Sequence, residues 1–114
     1  MAMDKIGLYK EKIKDVLNHY VHLHNDSKDA IKTYLVSDDV HGQYLLIDSG
    51  WQDDERFYNS YLHISLKGSK LHVERDLTDY DFTSELLAKG ISKEDIVLEF
   101  QAPSKRQYSG FAVG

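Results

Sequence analysis

His63, His72 and Glu74 stand out among the residues able to do chemistry, because the hairpin argued below brings them to one face of two paired strands. In that pairing His63 lies opposite Glu74 and diagonal to His72, within reach of long side chains. Imidazole titrates near neutrality, so an acid/base pair or a metal site could be built there. The competing reading is a polar sheet face with a favourable His–Glu cross-strand pair. His19, His22 and His24 crowd the end of a first helix, and His19 and His22, three apart, share a side of it. No nearby carboxylate completes a metal site, which leaves a solvated helix face. Asp53-Asp54-Glu55 has the letters of a transposase triad but not its geometry. Contiguous loop residues diverge, whereas metal-dependent strand transfer needs carboxylates converging from separate elements. A tyrosine or serine recombinase needs clustered cations around phosphate, and the three arginines, Arg56, Arg75 and Arg106, are scattered. Glycine-rich phosphate loops, a Gly-x-Ser-x-Gly elbow and a His-Glu-x-x-His helix are all missing from the sequence. No catalytic set emerges, and no cofactor or metal is expected.

Three features point to binding instead. Trp51, the single tryptophan, sits between Gly50 and the acidic loop, as an interface anchor or as a plug closing one end of the core. Lys105-Arg106 is the one compact basic pair and could dock an acidic surface. From Asp38 to Glu55 the chain carries six acids and neither lysine nor arginine, an anionic stretch suited to a basic partner or to plain solvation.

The elements that would carry these residues follow from periodicity. Met3 to His24 reads as an amphipathic helix, with Ile6, Tyr9, Ile13, Val16, Leu17, Tyr20 and Leu23 spaced by threes and fours. Asn25 to Asp29 ends it with turn-forming residues. From Ala30 the period becomes two, predicting a strand in which Ile31, Thr33 and Leu35 alternate with Lys32, Tyr34 and Val36. A second strand is expected over Tyr44–Asp48, then a loop from Ser49 to Glu55. Phe57 to Arg75 reads as a long hairpin whose turn, Lys67-Gly68-Ser69-Lys70, places glycine where a type II′ turn needs positive φ. That closure pairs Leu66 with Leu71, Ile64 with Val73 and Leu62 with Arg75. It leaves Tyr61, His63, Ser65, Lys67, Lys70, His72 and Glu74 on the opposite face. Phe82 to Lys89 predicts a short helix buried through Phe82, Leu86 and Leu87 and capped by Gly90. Ser92 has the form of an N-cap, Ile96 to Phe100 is a helix end or a strand, and the tail to Gly114 is expected to pack on the body. The class is α+β: a long N-terminal helix on one face of a mostly antiparallel sheet of about four strands, with a short second helix and a packed C-terminal tail.

Composition agrees with that size. The 114 residues suit a single domain over 1–114, and 41% apolar content suffices for one modest core. A net charge of −5 weighs against a stand-alone duplex-DNA binder. With no cysteine, disulfides, thiolate metal sites and cysteine nucleophiles are excluded. No apolar run approaches a membrane span and the N-terminus lacks a signal-peptide apolar region, so a cytoplasmic, membrane-free protein is expected.

The ordered motifs resemble the XisI-like family, the fdxN element excision controlling factors of cyanobacteria. The resemblance runs from Lys5 to Val113. It rests on Gly50-Trp51 followed by Arg56; on Leu62-His63-Ile64 with Lys70 after the turn; on Gly90-Ile91-Ser92-Lys93-Glu94-Asp95-Ile96-Val97-Leu98; and on Pro103 through Arg106 to Phe111-Ala112-Val113. The chain departs from the family pattern at His72, where relatives commonly carry tryptophan, and at Gln101, where many carry histidine. The resemblance implies a controlling factor, rather than the recombinase, in excision of a DNA element during heterocyst differentiation. It also implies a companion, XisH, with a nuclease-like fold. The expectation is therefore a non-catalytic regulator that binds an XisH-like protein, with Trp51, Arg56, His63, His72, Glu74, Lys105 and Arg106 as contact candidates. Two alternatives stand beside it: direct nucleic-acid binding through His63, Lys67, Lys70 and His72, and a small metal-dependent enzyme using His63, His72 and Glu74. An uncovered outer sheet face would also favour a homodimer.

Overall fold

A computed structural model describes residues 5–26 and 30–114. Helix α1, Lys5–Asn25, buries Tyr9, Ile13, Val16 and Leu17, the middle of the predicted stripe. Tyr20 packs part-buried against the core, while the stripe's ends, Ile6 and Leu23, are exposed. Met3 and Asp4 at the predicted helix start, and Ser27 to Asp29 of the predicted turn, lie outside the described residues.

Five strands follow: β1 (Lys32–Asp38), β2 (Gln43–Gln52), β3 (Glu55–Lys67), β4 (Lys70–Asp76) and, after helix α2 (Phe82–Ala88) and a 3-10 turn (Lys93–Asp95), β5 (Ile96–Leu98). They lie in the sheet in chain order, the first four antiparallel and β5 parallel to β4. The apolar run at Ile96 is thus a strand, added to the expected four. Helix α1 lies on one face over Tyr44, Leu46, Leu62, Ile64, Leu71 and Val73, and α2 closes the core with Phe82 and Leu86. Gly90 sits at φ +93° just beyond α2, the left-handed position that favours glycine. The tail makes a last short helix, α3 (Pro103–Arg106), and returns to the sheet, where Ala112 N–H donates to the Ile96 carbonyl at 2.8 Å and Phe111 packs on the core.

Two expectations about strands fail, each for a local reason. The loop expected over Ser49–Glu55 is instead strand on both sides of a two-residue turn, Asp53-Asp54, with φ of 50° and 64°. Positive φ at both central positions gives the turn twist that suits a two-residue hairpin, and aspartate tolerates that region better than most residues. The register of the next hairpin holds from Lys67–Lys70 to Ile64–Val73 and then slips, so that His63 faces Arg75 and Leu62 faces Asp76. Glu74 is the bulged residue. A second bulge, opposite Leu46 and Ile47, swings Tyr61 into the core rather than onto the outer face.

Candidate docking surface

The β2–β3 hairpin outruns the helix that covers the rest of the sheet, and the side chains at its end, from Trp51 to Arg56, are all exposed. Gly50 lets this arm leave the body. A Cβ there would stand 2.5 Å from the Ala30 carbonyl oxygen and 2.7 Å from the Ile31 Cα, too close for backbone to yield easily. On the arm, Trp51 and Arg56 are direct cross-strand partners and Tyr58 faces Ser49. The Arg56 guanidinium lies 5.8 Å from the Trp51 ring centre and 5.4 Å from that of Tyr58, and it donates to the Gly50 carbonyl (3.1 Å) and to Ser49 Oγ (3.2 Å). Those bonds and stacking contacts hold a cation between two aromatic faces, with Trp51 60% and Tyr58 67% exposed. Exposed Tyr34 and Val36 of β1 alternate with the inward Thr33 and Leu35, which puts them on the same outer side of the sheet as Trp51. On the arm itself, Trp51 and Tyr58 thus make an aromatic shelf around the Arg56 cation, with an acidic rim at Asp53, Asp54 and Glu55. Protein interfaces concentrate tryptophan, tyrosine and arginine in this way.

The expected trio of His63, His72 and Glu74 is not brought together. His63 Nε2 donates to Gln43 Oε1 at 2.7 Å, and Ser65 Oγ donates to the same oxygen at 2.8 Å. His72 turns the other way and donates from Nδ1 to Glu99 Oε1 at 2.5 Å. Arg106 Nη2 holds the other Glu99 oxygen at 3.0 Å, and Lys67 pairs with Glu74 at 3.1 Å. Ligand atoms of His72, Glu74 and Glu99 do lie within 4.8 Å of one another, the spacing a metal would need. Two cations, Lys67 and Arg106, already balance the two carboxylates, so no charge is left for an ion to neutralise. The group serves as an anchor for the tail: Glu99 joins β4 to α3. His72 comes first and Arg106 next in holding the Glu99 carboxyl below its usual pKa. Nothing in the sequence marks Glu99, which acquires its partners only through the parallel pairing of β5. Of the basic pair, Arg106 is spent in this anchor and Lys105 is exposed.

His19 and His22 are exposed, as the solvated reading of that helix end requires. His24 instead meets the hydroxyl of buried Thr33, which donates to Asp48 Oδ1 at 2.6 Å and lies 3.3 Å from the Tyr61 hydroxyl. This polar group ties the end of α1 to the sheet and is fully enclosed at the threonine. The six acids from Asp38 to Glu55 do not form one patch either. Asp39 is bound by Lys14 and Tyr44, Asp38 by His41 and Asp48 by Thr33, and the other three stand apart at the arm's tip.

The family model described as XisI protein matches residues 3–113. The chain belongs to the XisI family. Two solved structures agree with the assignment. One is the fdxN element excision controlling factor XisI from Anabaena variabilis, 32% identical over 97% of this chain and all of that one, with a TM-score of 0.83. The other is a XisI-like protein from the same organism, 33% identical over 96% of this chain and 99% of that one, with a TM-score of 0.86. No curated protein gives a significant match. The α+β fold read from the sequence is therefore the fold of XisI structures. No helix among the described residues is long and apolar enough to cross a membrane.

Proposed function

We propose that this XisI-family chain is a non-catalytic regulatory factor that acts by binding a companion protein of the XisH type, and through it influences excision of a DNA element. The observation that carries the reading is the arm, where Trp51, Arg56 and Tyr58 form a preassembled aromatic shelf outside the core. Burying such residues in an unassembled protein would stabilise it, so leaving them in water makes physical sense when a second macromolecule covers them. The name of a relative, an excision controlling factor, supports a role in control rather than in breaking bonds. Of the seven contact candidates, Trp51, Arg56 and exposed Lys105 remain available to a partner. His63, His72, Glu74 and Arg106 are engaged within the chain.

The same contacts weigh against nucleic acid on the outer face. Lys67 is paired with Glu74, Lys70 donates to the Gly114 carbonyl, and both histidines have partners. Phosphate binding draws on cations that can release counterions, and these are already committed. Calorimetric titration with a purified XisH-like protein tests the proposal. Binding at micromolar concentration, weakened by Trp51→Ala, is the expected result. Absence of binding overturns it, as does a salt-sensitive complex with labelled DNA alone.

A further inference from the structure

The two edges of the sheet are treated differently. At the β5 edge the tail returns and covers it, with Ala112 bonded to Ile96 and bridged to Val97. At the other edge β1 runs for seven residues with no proline and no bulge, and it carries exposed Tyr34 (55%) and Val36 (46%). Thr33 shows which backbone groups face outward, because its N–H donates to Asn25 Oδ1 at 2.9 Å and its carbonyl accepts from Asn25 Nδ2 at 2.7 Å. The side-chain amide of Asn25 thus presents one donor and one acceptor, the pair a neighbouring strand would offer. Hydrogen-bonding direction alternates along a strand, so Leu35 and Ser37 also point outward. Neither has a backbone partner beyond β2 among the described residues. A long, flat, half-apolar edge of this kind is what soluble proteins ordinarily blunt.

We infer that β1 pairs with β1 of a second copy of this chain, antiparallel about a two-fold axis through Val36, to make one continuous ten-stranded sheet. Two features select a second copy over an unrelated strand. The groups left open are those of Leu35 and Ser37, and in this register Leu35 of each chain faces Ser37 of the other, so all four N–H and carbonyl pairs close while Asn25 keeps Thr33. Val36 meets its own mate at the axis with Tyr34 on the diagonals, which gathers four exposed apolar side chains into one cluster on the outer face. This interface is distinct from the Trp51 arm and does not rest on the companion proposed above.

The absence of cysteine makes the test direct. At the axis the two Val36 Cα atoms would sit about 4.5 Å apart, the spacing of a non-hydrogen-bonded antiparallel pair, within the range a disulfide can bridge. Val36→Cys should therefore cross-link into a covalent dimer under mild oxidation, while Val40→Cys, more exposed but outside the strand, should not. In sedimentation equilibrium the parent chain should be a dimer at micromolar concentration. Ser37→Pro, which removes one outward N–H from an edge strand, should shift it to monomer, and so should Val36→Lys, with the circular dichroism of both unchanged. A parent that stays monomeric overturns the inference. So does a dimer that survives both substitutions, or a β1 edge whose amides gain exchange protection only when the companion protein is added. Companion binding by the Ser37→Pro monomer is expected to persist, which keeps failure here separate from failure of the function proposed above.

Discussion

Trp51→Ala is the sharpest test of the docking surface, and the size of its effect can be worked from the arm itself. A tryptophan side chain can bury up to about 250 Å², and 60% of Trp51 is exposed, leaving roughly 150 Å² for a partner to cover. At ~25 cal/mol per Å² that area has a ceiling of about 4 kcal/mol. Coverage in a real interface is incomplete, and an interface tryptophan typically costs about 2 kcal/mol on truncation, or roughly a thirtyfold rise in Kd. The fold should barely notice. Trp51 contributes nothing to the buried core, and the loss is limited to its stacking on Arg56, about 0.5 kcal/mol at an exposed site. Titration calorimetry of parent and variant against the XisH-like companion, beside a thermal melt of each, separates the two quantities. A Kd unchanged within twofold, with the variant fully folded, would refute the claim that the arm is the contact surface. A large fall in melting temperature would instead show that Trp51 closes the core, the other reading open in the sequence.

Three further outcomes follow from the interior. Tyr9→Phe removes the hydroxyl that donates to Asp95 at 2.6 Å across the whole chain, and losing a hydrogen bond to a charged group should cost about 2 kcal/mol, or about 10 °C in melting temperature; a shift below a degree or two would show the contact to be idle. Gly50→Ala should lower stability by roughly 1–3 kcal/mol in denaturant titration, because its Cβ meets backbone at Ala30 and Ile31, and an unchanged midpoint would mean that the crossing is loose. Acid unfolding carries the signature of the tail anchor. Glu99 has a folded-state pKa held below its ordinary value, so it contributes stability that is complete above the ordinary carboxylate range and is lost as pH falls through the lower, folded value. Glu99→Gln should therefore weaken the protein at neutral pH and flatten its acid limb, and an acid limb identical to the parent's would contradict the anchor.

What could be read from the sequence is set by how local its physical cause is. The Gly68 turn, the buried stripe of α1 and the glycine cap of α2 depend on residues within a few positions of one another, and all three are found where periodicity puts them. The Asp53-Asp54 turn was legible in kind but hidden in degree. Aspartate at both central positions is a weaker signal than Asn-Gly, and the polar run from Gln52 to Arg56 has no alternation to reveal a strand. Bulges leave even less trace, since one extra residue on one strand answers to packing on the neighbouring strand. For that reason the His63–Glu74 pairing could not survive, and the true partner of His72, Glu99, emerges only from a parallel contact 27 residues away in sequence.

The bulge opposite Leu46 and Ile47 also explains why the arm can work as a surface at all. Along β3, His63, Ser65 and Lys67 point to the outer face. Without a bulge the alternation would carry on to Tyr61, Asn59 and Phe57, and Tyr58 and Arg56 would turn toward the helix side. The extra residue reverses that parity. Tyr61 enters the core beside Leu62, and beyond it Ser60, Tyr58 and Arg56 take the outer side, opposite Ile47, Ser49 and Trp51. A single irregularity thus does two things: it fills the core with an aromatic ring at the point where α1 ends, and it aligns Arg56 with the two exposed rings it stacks between. The stacking geometry and the buried Tyr61 are consequences of the same backbone step, so a substitution that straightened β3 would dismantle the shelf even if every side chain in it were kept.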